Sequence, residues 1–261
     1  MGVSVEREDR AEGGFVARVT IDRAAKLNAL DRALMGEIIE AMTGLADDPA
    51  LRLAVVTGAG GRAFIGGADI DALAALDADS ARAFITAVHV CCDAFRHLPV
   101  PVIARIDGYA LGAGLELAAA CDFRIASDHS VFGMPEVRIG IPSVVEAALL
   151  PQLIGPAHAR RLLLTGENIS GEEALAWGLV DRLVPAEQLD EAIEALAASI
   201  LAGGPHAIRL QKSLILDWEE MHISAAVARG IDAFVDAFAT DEPRRMTTAA
   251  RSAMLARRKA R

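Results

Sequence analysis

Two glutamates stand in or beside apolar segments, where an ionised side chain is costly. Glu116 lies within "LGAGLELAAACD", residues 111–122, and Glu136 precedes the apolar end of "FGMPEVRIGIP", residues 132–142. An isolated carboxylate moved into an apolar interior usually takes up a proton or acquires hydrogen-bond partners. Two carboxyl groups in partly dry surroundings suit general acid and base catalysis, because their environments can separate their pKa values. The sequence therefore favours proton-transfer chemistry at these two positions.

Structural roles for both glutamates remain open at this point. Glu116 is equally consistent with a helix residue that caps a neighbouring backbone group or pairs with an arginine. Glu136 is equally consistent with an ion pair to Arg138 or Arg124. These interpretations differ in the neighbours they require, so the tertiary structure separates them.

Two glycine-rich turns could supply main-chain donors near these carboxyl groups. One is "AFIGGADI", residues 63–70, and the other opens the segment that contains Glu116. The first N–H groups of a helix lack partners and attract negative charge. If the turns face each other, the amides of Ala68 and Ala113 form a two-donor pocket for an oxyanion, where losing one donor typically costs about 2.7–4 kcal/mol. A glycine loop that only turns the chain is the alternative.

Several other chemistries lack their sequence signals. Leu117 occupies the place of the third glycine in a dinucleotide fingerprint, and no GxxxxGK[ST] or GxSxG motif occurs. The six histidines have no metal-ligand spacing, and three cysteines, two of them adjacent, fit neither a disulfide framework nor a zinc site. We therefore expect no metal and no bound redox cofactor.

Composition limits the partners and the compartment. The 261 residues carry a formal net charge of −10, which disfavours a broad nucleic-acid surface. The charged start of the chain resembles neither a signal peptide nor a transit sequence, and no long apolar run predicts a membrane span. We expect a cytoplasmic protein without nucleic-acid or membrane partners.

The elements that must position the candidate groups alternate between strands and helices. Apolar patterning predicts strands over 14–21, 51–58 and 102–108, and helices over 31–46 and 79–97. Asp31 is the expected N-cap of the first helix. From about residue 185 every segment is helical, with apolar faces that typically pack against another subunit. We therefore expect a homo-oligomer.

Five ordered blocks resemble the crotonase (enoyl-CoA hydratase/isomerase) superfamily along nearly the whole chain. They are "RAAKLNALD" (23–31), "AFIGGADI" (63–70), "IDGYALGAGLELAAACDFRIAS" (106–127), "FGMPEVRIGIP" (132–142) and "LLLTGENISGEEALAWGLVDRLV" (162–184). The resemblance implies an α/β fold, a crotonase-like spiral of ββα units over 1–200 that holds an acyl-CoA site. It also implies a helical C-terminal oligomerisation region, 201–261, that builds homotrimers or dimers of trimers.

The resemblance also implies residue roles. The amides of Ala68 and Ala113 hold the enolate-like oxygen of an acyl-CoA thioester, and Glu116 and Glu136 move the protons. Glu136 is the expected main proton donor and Glu116 the water-orienting base, although the assignment could be shared or reversed. Coenzyme A belongs to the substrate, so no separate cofactor is expected. The implied substrate- and CoA-binding residues are Lys26, Leu27, Ala29, Gly67, Asp69, Ile70 and Gly112, with Arg23 and Lys26 offering positive charge to phosphates.

One stretch departs from the pattern of many hydratases. Residues 141–151, "IPSVVEAALLP", replace a glycine-rich segment and add Glu146 near the expected acyl pocket. This accessory carboxylate could shape selectivity or move a proton between the α and γ carbons. Alternatively, it is a helix-face residue paired with Arg160 or Arg161.

The sequence thus predicts an enoyl-CoA hydratase, a hydro-lyase of fatty acid metabolism that adds water to a trans-2-enoyl-CoA. A Δ3,Δ2-enoyl-CoA isomerase or another crotonase-type acyl-CoA lyase is the nearest alternative. A non-catalytic crotonase-like scaffold is a further one, against which the acidic charge and the presence of both glutamates count.

Overall fold

The computed structural model describes residues 2–259, apart from the side chain of Lys259. The chain divides into two compact units, Met1–Ala197 and Ala198–Arg261. The helices and strands, in chain order, are β1 (Gly2–Asp9), β2 (Phe15–Asp22), α1 (Arg32–Ala46), β3 (Leu51–Gly58), β4 (Ala63–Ile65), α2 (Ile70–Ala74), α3 (Ala78–Arg96), β5 (Val102–Ile106), β6 (Tyr109–Leu111), α4 (Ala113–Ala120), β7 (Phe123–Ser127), β8 (Val131–Gly133), α5 (Leu150–Thr165), β9 (Asn168–Ser170), α6 (Gly171–Trp177), β10 (Arg182–Val184), α7 (Leu189–Leu201), α8 (Pro205–Glu220), α9 (Ile223–Ala237) and α10 (Glu242–Lys259).

The larger unit contains two sheets within its described residues. The first has six strands in the order β1-β2-β3-β5-β7-β10, and the second has four in the order β4-β6-β8-β9. β1 pairs with β2 and β9 with β8 in antiparallel fashion, and the other pairs are parallel. β3, β5 and β7 of the first sheet are each followed by a short strand of the second sheet, namely β4, β6 and β8. The chain therefore forms a spiral, and each turn of the spiral adds one strand to both sheets.

Each of these turns gives a strand, a short strand and then a helical segment, which confirms the predicted ββα spiral. β3 and β4 lead to α2 and α3, and β5 and β6 lead to α4. The central parallel strands β3 and β5 of the first sheet are mostly buried, apolar runs, as expected where parallel strands are covered on both faces. The short strands end at the glycine turns, so the starts of α2 and α4 lie at one edge of the second sheet.

Local signals set the helix ends as the sequence predicts. The Asp31 side chain accepts a hydrogen bond of 2.9 Å from Leu34 N and caps α1. α3 ends at Arg96, before Pro99, which cannot continue a helix. The sequence pattern predicts no element for residues 2–9, yet they form β1, whose mostly exposed side chains give no apolar alternation.

α4 is the most buried helix near the glycine turns. All eight of its residues are buried, including Glu116. Its C-terminal carbonyls are held by Arg124, whose Nη1 donates to Cys121 O at 2.7 Å and to Ala118 O at 3.3 Å. A cation there satisfies carbonyl groups that the helix leaves unpaired.

In its described part the smaller unit consists of the last turn of α7 and helices α8, α9 and α10. The Trp218 indole donates a 3.0 Å hydrogen bond to Ala226 O, and Arg229 pairs with Asp217 at 2.8 Å, so α8 and α9 are joined at both points. Large apolar side chains on α9 nevertheless remain exposed. Within the described residues no helix is both long and apolar enough to cross a membrane.

Candidate active site

A cleft of about 100 Å³ brings the two glycine turns and both candidate glutamates together. Its apolar wall comes from α2, α3 and the segment after Pro135, and its polar wall comes from the turns and the carboxyl groups. The residues that line it are Gly66, Gly67, Ala68, Ile70, Leu73, Phe84, Ile85, Val88, Gly112, Ala113, Glu116, Pro135, Glu136, Ile139, Ile141, Pro142, Ser143 and Val144.

Two main-chain donors face this cleft without partners. Within the described residues no acceptor takes the N–H of Ala68 or of Ala113, although their neighbours are bonded. Gly112 N donates to Gly133 O at 2.9 Å, and Asp69 N donates to Leu30 O at 2.8 Å. Both free N–H groups belong to residues that line the cleft. The arrangement can therefore offer two hydrogen bonds to one oxygen of a bound molecule.

Close packing holds the two turns side by side. Gly112 has φ of 50°, and a Cβ there would lie 4.0 Å from Gly67 Cα and would collide with the Glu136 carboxylate. A Cβ on Gly114 would overlap the Ile65 carbonyl, its carbon at 2.8 Å. Glycine at these two positions therefore lets α4 approach the first turn and lets Glu136 reach the second.

The loop before α1 fixes the first turn through its main chain. Gly66 N donates to Leu27 O, and Leu30 N donates to Gly67 O, both at 2.8 Å. Together with the bond from Asp69 N to Leu30 O, these contacts surround Ala68 on both sides. Three main-chain hydrogen bonds thus fix the turn while Ala68 N–H stays free.

Asn28 is a supporting residue that the sequence analysis missed. It is fully buried with φ of 58°, and its Nδ2 donates to Ala63 O at 2.8 Å and to Ala59 O at 3.0 Å. Asparagine is among the few residues that tolerate positive φ, and a buried amide needs partners. In the sequence, the signal that could have identified Asn28 is a polar residue placed between the apolar residues of "LNAL".

Glu116 points from the first turn of α4 into a nearly dry environment. The residue is 4% exposed, and its Oε1 accepts a 3.3 Å hydrogen bond from Ala147 N. Burial raises the pKa of Glu116 to about 8, and the carboxylates of Glu136 and Glu146 act in the same direction, against the main-chain hydrogen bonds. A carboxyl group with a pKa near neutrality is suited to exchanging a proton at physiological pH.

Glu136 lies on a short 3₁₀ helix, Pro135–Ile139, and is half-buried. Its Oε2 accepts a 2.7 Å hydrogen bond from Ser143 Oγ, a residue that the sequence analysis did not select. The serine fixes one carboxylate oxygen, while Oε1 faces Gly112 at the start of α4. Glu136 is therefore held where it can reach a ligand bound by the Ala113 amide.

Among the described residues, no arginine pairs with either glutamate. Arg124 is committed to the end of α4, to Leu179 O and to Asp181, and Arg138 Nε donates to Thr165 O at 3.1 Å. The ion-pair alternatives are therefore wrong for both residues. The capping alternative holds in part for Glu116, which accepts a main-chain hydrogen bond from Ala147 N and still lines the cleft.

Glu146 is buried, but it does not line this cleft. Its Oε1 lies 2.7 Å from His89 Nδ1 on α3, and Arg161 instead pairs with Glu167 and Glu173. The predicted pairing with Arg160 or Arg161 is wrong, because the short 3₁₀ helix Val145–Leu149 turns Glu146 inward towards α3.

The loop residues predicted for coenzyme A lie beside the cleft and do not line it. Lys26, Leu27 and Ala29 belong to the loop that supports the first turn, and the Asp69 side chain caps α2. Gly67, Ile70 and Gly112 do line the cleft.

The two cations of this loop are already paired. Arg23 Nη1 lies 2.6 Å and Lys26 Nζ 3.2 Å from Asp69 Oδ2, so they offer less free positive charge than the sequence suggests. Burial would raise the pKa of Asp69, but the hydrogen bonds from Arg23, Ala72 N, Lys26 and Asp71 N outweigh it and lower the value to about 2.

The chemistry that this site offers is proton transfer beside a stabilised negative charge. The donors are main-chain amides, the acids and bases are carboxyl groups, and among the described residues no group of three or more His, Cys, Asp or Glu side chains is arranged to hold a metal. The buried thiols of Cys91 and Cys92 stay protonated, because burial raises their pKa values.

Comparison with known proteins gives one consistent result. The sequence model described as enoyl-CoA hydratase/isomerase matches residues 11–259. A crotonyl-CoA hydratase of Syntrophomonas wolfei is 37% identical over 95% of this chain and 94% of its own, and a short-chain-enoyl-CoA hydratase of Clostridium acetobutylicum is 35% identical over 90% and 91%. The crystal structure of an enoyl-CoA hydratase from Bacillus anthracis superposes with a TM-score of 0.90 at 31% identity, covering 97% of this chain and 96% of that one.

Proposed function

We propose that this chain, which belongs to the enoyl-CoA hydratase/isomerase family, is a hydro-lyase that adds water across the double bond of a trans-2-enoyl-CoA. The observation that carries the proposal is the single cleft that holds two unpaired main-chain N–H groups and two carboxyl groups. Attack of water at the β-carbon moves negative charge onto the thioester oxygen. Donors already aimed at that oxygen stabilise the charge where it develops.

The amides of Ala68 and Ala113 are the proposed oxyanion donors. Both are free, and both belong to turns held by hydrogen bonds that do not involve the ligand. Because the donors are fixed beforehand, little reorganisation is needed when charge appears. The thioester carbonyl would lie between the turns, and the acyl chain would extend along the apolar wall formed by Leu73, Phe84 and Ile85.

Glu116 and Glu136 are proposed to move the protons as one acid–base pair. The sequence-based assignment makes Glu116 the base that takes a proton from water and Glu136 the donor to the α-carbon. Because the pKa of Glu116 is raised to about 8, its carboxyl group is mostly protonated at pH 7 when no substrate is bound. We therefore propose that the pair holds a single proton and exchanges it, so that water loses one proton to the pair and the α-carbon receives one from it.

The remaining parts of the proposal concern the substrate's carrier and the assembly. Coenzyme A enters with the substrate and no other cofactor takes part; main-chain groups around Lys26–Ala29 would contact it. The exposed apolar side chains of α9 support assembly into homotrimers or dimers of trimers. Three buried free cysteines support a reducing compartment, and we propose a cytoplasmic enzyme of fatty acid metabolism.

Separate incubation with trans-2-enoyl-CoA and 3-enoyl-CoA tests the proposed activity. A hydratase removes the absorbance of the conjugated thioester, whereas a Δ3,Δ2-isomerase creates that absorbance from the 3-enoyl substrate. The double variant Glu116→Gln/Glu136→Gln is the control, because it keeps the shape of the cleft without its proton carriers. Isomerisation without hydration would show that the protein is an isomerase and not a hydratase. No activity of the wild-type protein on either substrate, at any acyl length tested, would indicate a non-catalytic scaffold.

A further inference from the structure

A third carboxylate, Glu146, lies buried beside Glu116 and takes no part in the proposed reaction. Its side chain is 7% exposed, its Oε1 meets His89 Nδ1 at 2.7 Å, and its Oε2 has no hydrogen-bond partner in the described part of the protein. A carboxylate oxygen left buried and unpaired is costly. Its position therefore needs a compensating role.

The backbone that carries Glu146 is strained and contacts Glu116 directly. Val145 has φ of 42°, a conformation that is an outlier for a β-branched residue. Two residues later, Ala147 N donates to Glu116 Oε1 at 3.3 Å and to Val144 O at 2.9 Å. Strain of this kind persists only where surrounding contacts hold it, and it is concentrated at functional sites.

We propose that Glu146, held by His89 on α3, is a positioning residue that fixes the strained segment 144–147 against Glu116 and so prepares Glu116 for proton transfer. The inference rests on the proposed function in one respect, that Glu116 carries a proton of the reaction. His89 is half exposed and holds the segment from its solvent-facing side, because its ring donates a hydrogen bond to Glu146 Oε1. The carboxylate then acts on Glu116 in two ways, through the placement of the Ala147 amide and through its own charge.

The charges around Glu116 determine the direction of the second effect. The titratable groups that face it are Glu136 on the 3₁₀ helix, Glu146, and Cys92 on α3, which itself has Cys91 and Cys121 as neighbours. Burial raises the pKa of the Cys91 and Cys92 thiols, so these two stay neutral. Burial is the main cause of the raised pKa of Glu116, and the negative charges of Glu136 and Glu146 raise it further, so neutralising Glu146 lowers it.

Two measurements on the full-length protein test the proposal. The first is a pH titration of the Glu116 carboxyl group by infrared spectroscopy, with its band identified by its loss in Glu116→Gln. We expect Glu146→Gln, which keeps the size and the acceptor for His89, to move the midpoint down by about 0.5 pH unit or more. This readout needs no catalysis, so it stands even if the proposed activity is wrong.

The second measurement is steady-state hydration by His89 variants. His89→Ala should lower kcat about tenfold with KM within about twofold, and His89→Gln, which retains a donor, should recover most of the loss. In the Glu116→Gln background His89→Ala should cause no further fall, because it acts through Glu116. His97→Ala, at an exposed position that follows the same helix, is the matched control and should match wild type.

Three outcomes would overturn the positioning role. They are an unchanged Glu116 midpoint in Glu146→Gln, an equal loss of kcat in both backgrounds, and a lower melting temperature in His89→Ala with normal kcat. A changed midpoint in a protein with no hydratase activity would keep the positioning role and reject the proposed function alone.

Discussion

At the scale of single residues, the contacts of each carboxyl group determine what it can do in the site. Glu116 is buried against one amide, Glu136 is fixed by Ser143, and Glu146 is held by His89. Three acids of the same chemical type thus receive different environments from neighbours distant in sequence. These environments separate their functions, because burial and nearby charge set the proton affinity of each group.

Glu136→Gln tests the proton-transfer role at this scale. The amide oxygen can still accept the Ser143 hydrogen bond, so the site keeps its shape while one carboxyl group is lost. We expect kcat to fall about 100-fold or more, as for a lost general acid or base, with little change in binding of the CoA product. Steady-state kinetics and titration calorimetry measure the two quantities. The exposed Glu191→Gln is the control, and near-normal turnover in Glu136→Gln would remove Glu136 from the mechanism.

At the scale of elements, the site depends on how closely α4 approaches β4. The helix brings both Ala113 N–H and Glu116, so any shift of its axis moves a donor and an acid together. Gly114 allows the approach, and Arg124 secures the opposite end of the helix. Neither residue lines the cleft, so the packing of the elements alone sets the positions of Ala113 and Glu116, which do line it.

Gly114→Ala should separate the two proposed oxyanion donors. Its Cβ meets the Ile65 main chain, which cannot move aside as a flexible side chain can, so α4 must shift away from the first turn. We expect kcat to fall at least about tenfold, since an oxyanion donor loses most of its effect when displaced. Gly36→Ala on α1, where an added Cβ meets nothing within 4 Å, is the matched control. Unchanged kcat in a folded Gly114→Ala protein would show that the approach is not required.

At the scale of the whole molecule, the buried acid makes stability depend on pH. The pKa of Glu116 is about 8 in the folded protein against 4.5 ordinarily, so the folded state binds this proton more tightly than the unfolded state does. Its contribution to the free energy of unfolding is complete below about pH 4.5 and is lost as the pH rises towards 8. The greatest slope is about 1.4 kcal/mol per pH unit.

Glu116→Gln should abolish this dependence. Between pH 5 and pH 8, we expect the variant to lose about 3.5 kcal/mol less stability than the wild type, because glutamine has no proton to release. Chemical denaturation at fixed protein concentration from pH 5 to 8 measures the difference. The exposed Glu172→Gln should follow wild type. Parallel curves for wild type and Glu116→Gln would contradict the raised pKa.

Exposed apolar side chains on α9, among them Ile231 and Phe234, predict that this helix packs against another subunit. Ile231 and Phe234 are 62% and 69% exposed, which is unusual for large apolar side chains unless a partner covers them. We expect sedimentation of wild-type protein as a trimer or hexamer and of Ile231→Asp/Phe234→Asp as smaller species. Asp232→Asn, on the same helix, is the control. A monomeric wild-type protein would reject assembly through this helix.

Much of the fold followed from local pattern. The N-cap at Asp31, the end of α3 before Pro99 and the helical C-terminal segments were all predicted, because caps, proline and apolar periodicity act within a few residues. β1 was missed because its side chains are mostly exposed, and its strand form depends on pairing with β2.

The sequence by itself determined the chemical groups of this protein: two glycine-rich turns and two glutamates in or beside apolar segments. Only the tertiary structure decided which groups meet, as Ser143 holds Glu136, His89 holds Glu146, and Asp69 pairs with the cations of the 23–29 loop. The sequence itself lists the residue types, and near neighbours in the chain set the helix ends. The proton affinity of a carboxyl group is set by burial and by charges within a few ångströms, and folding brings those from far along the sequence.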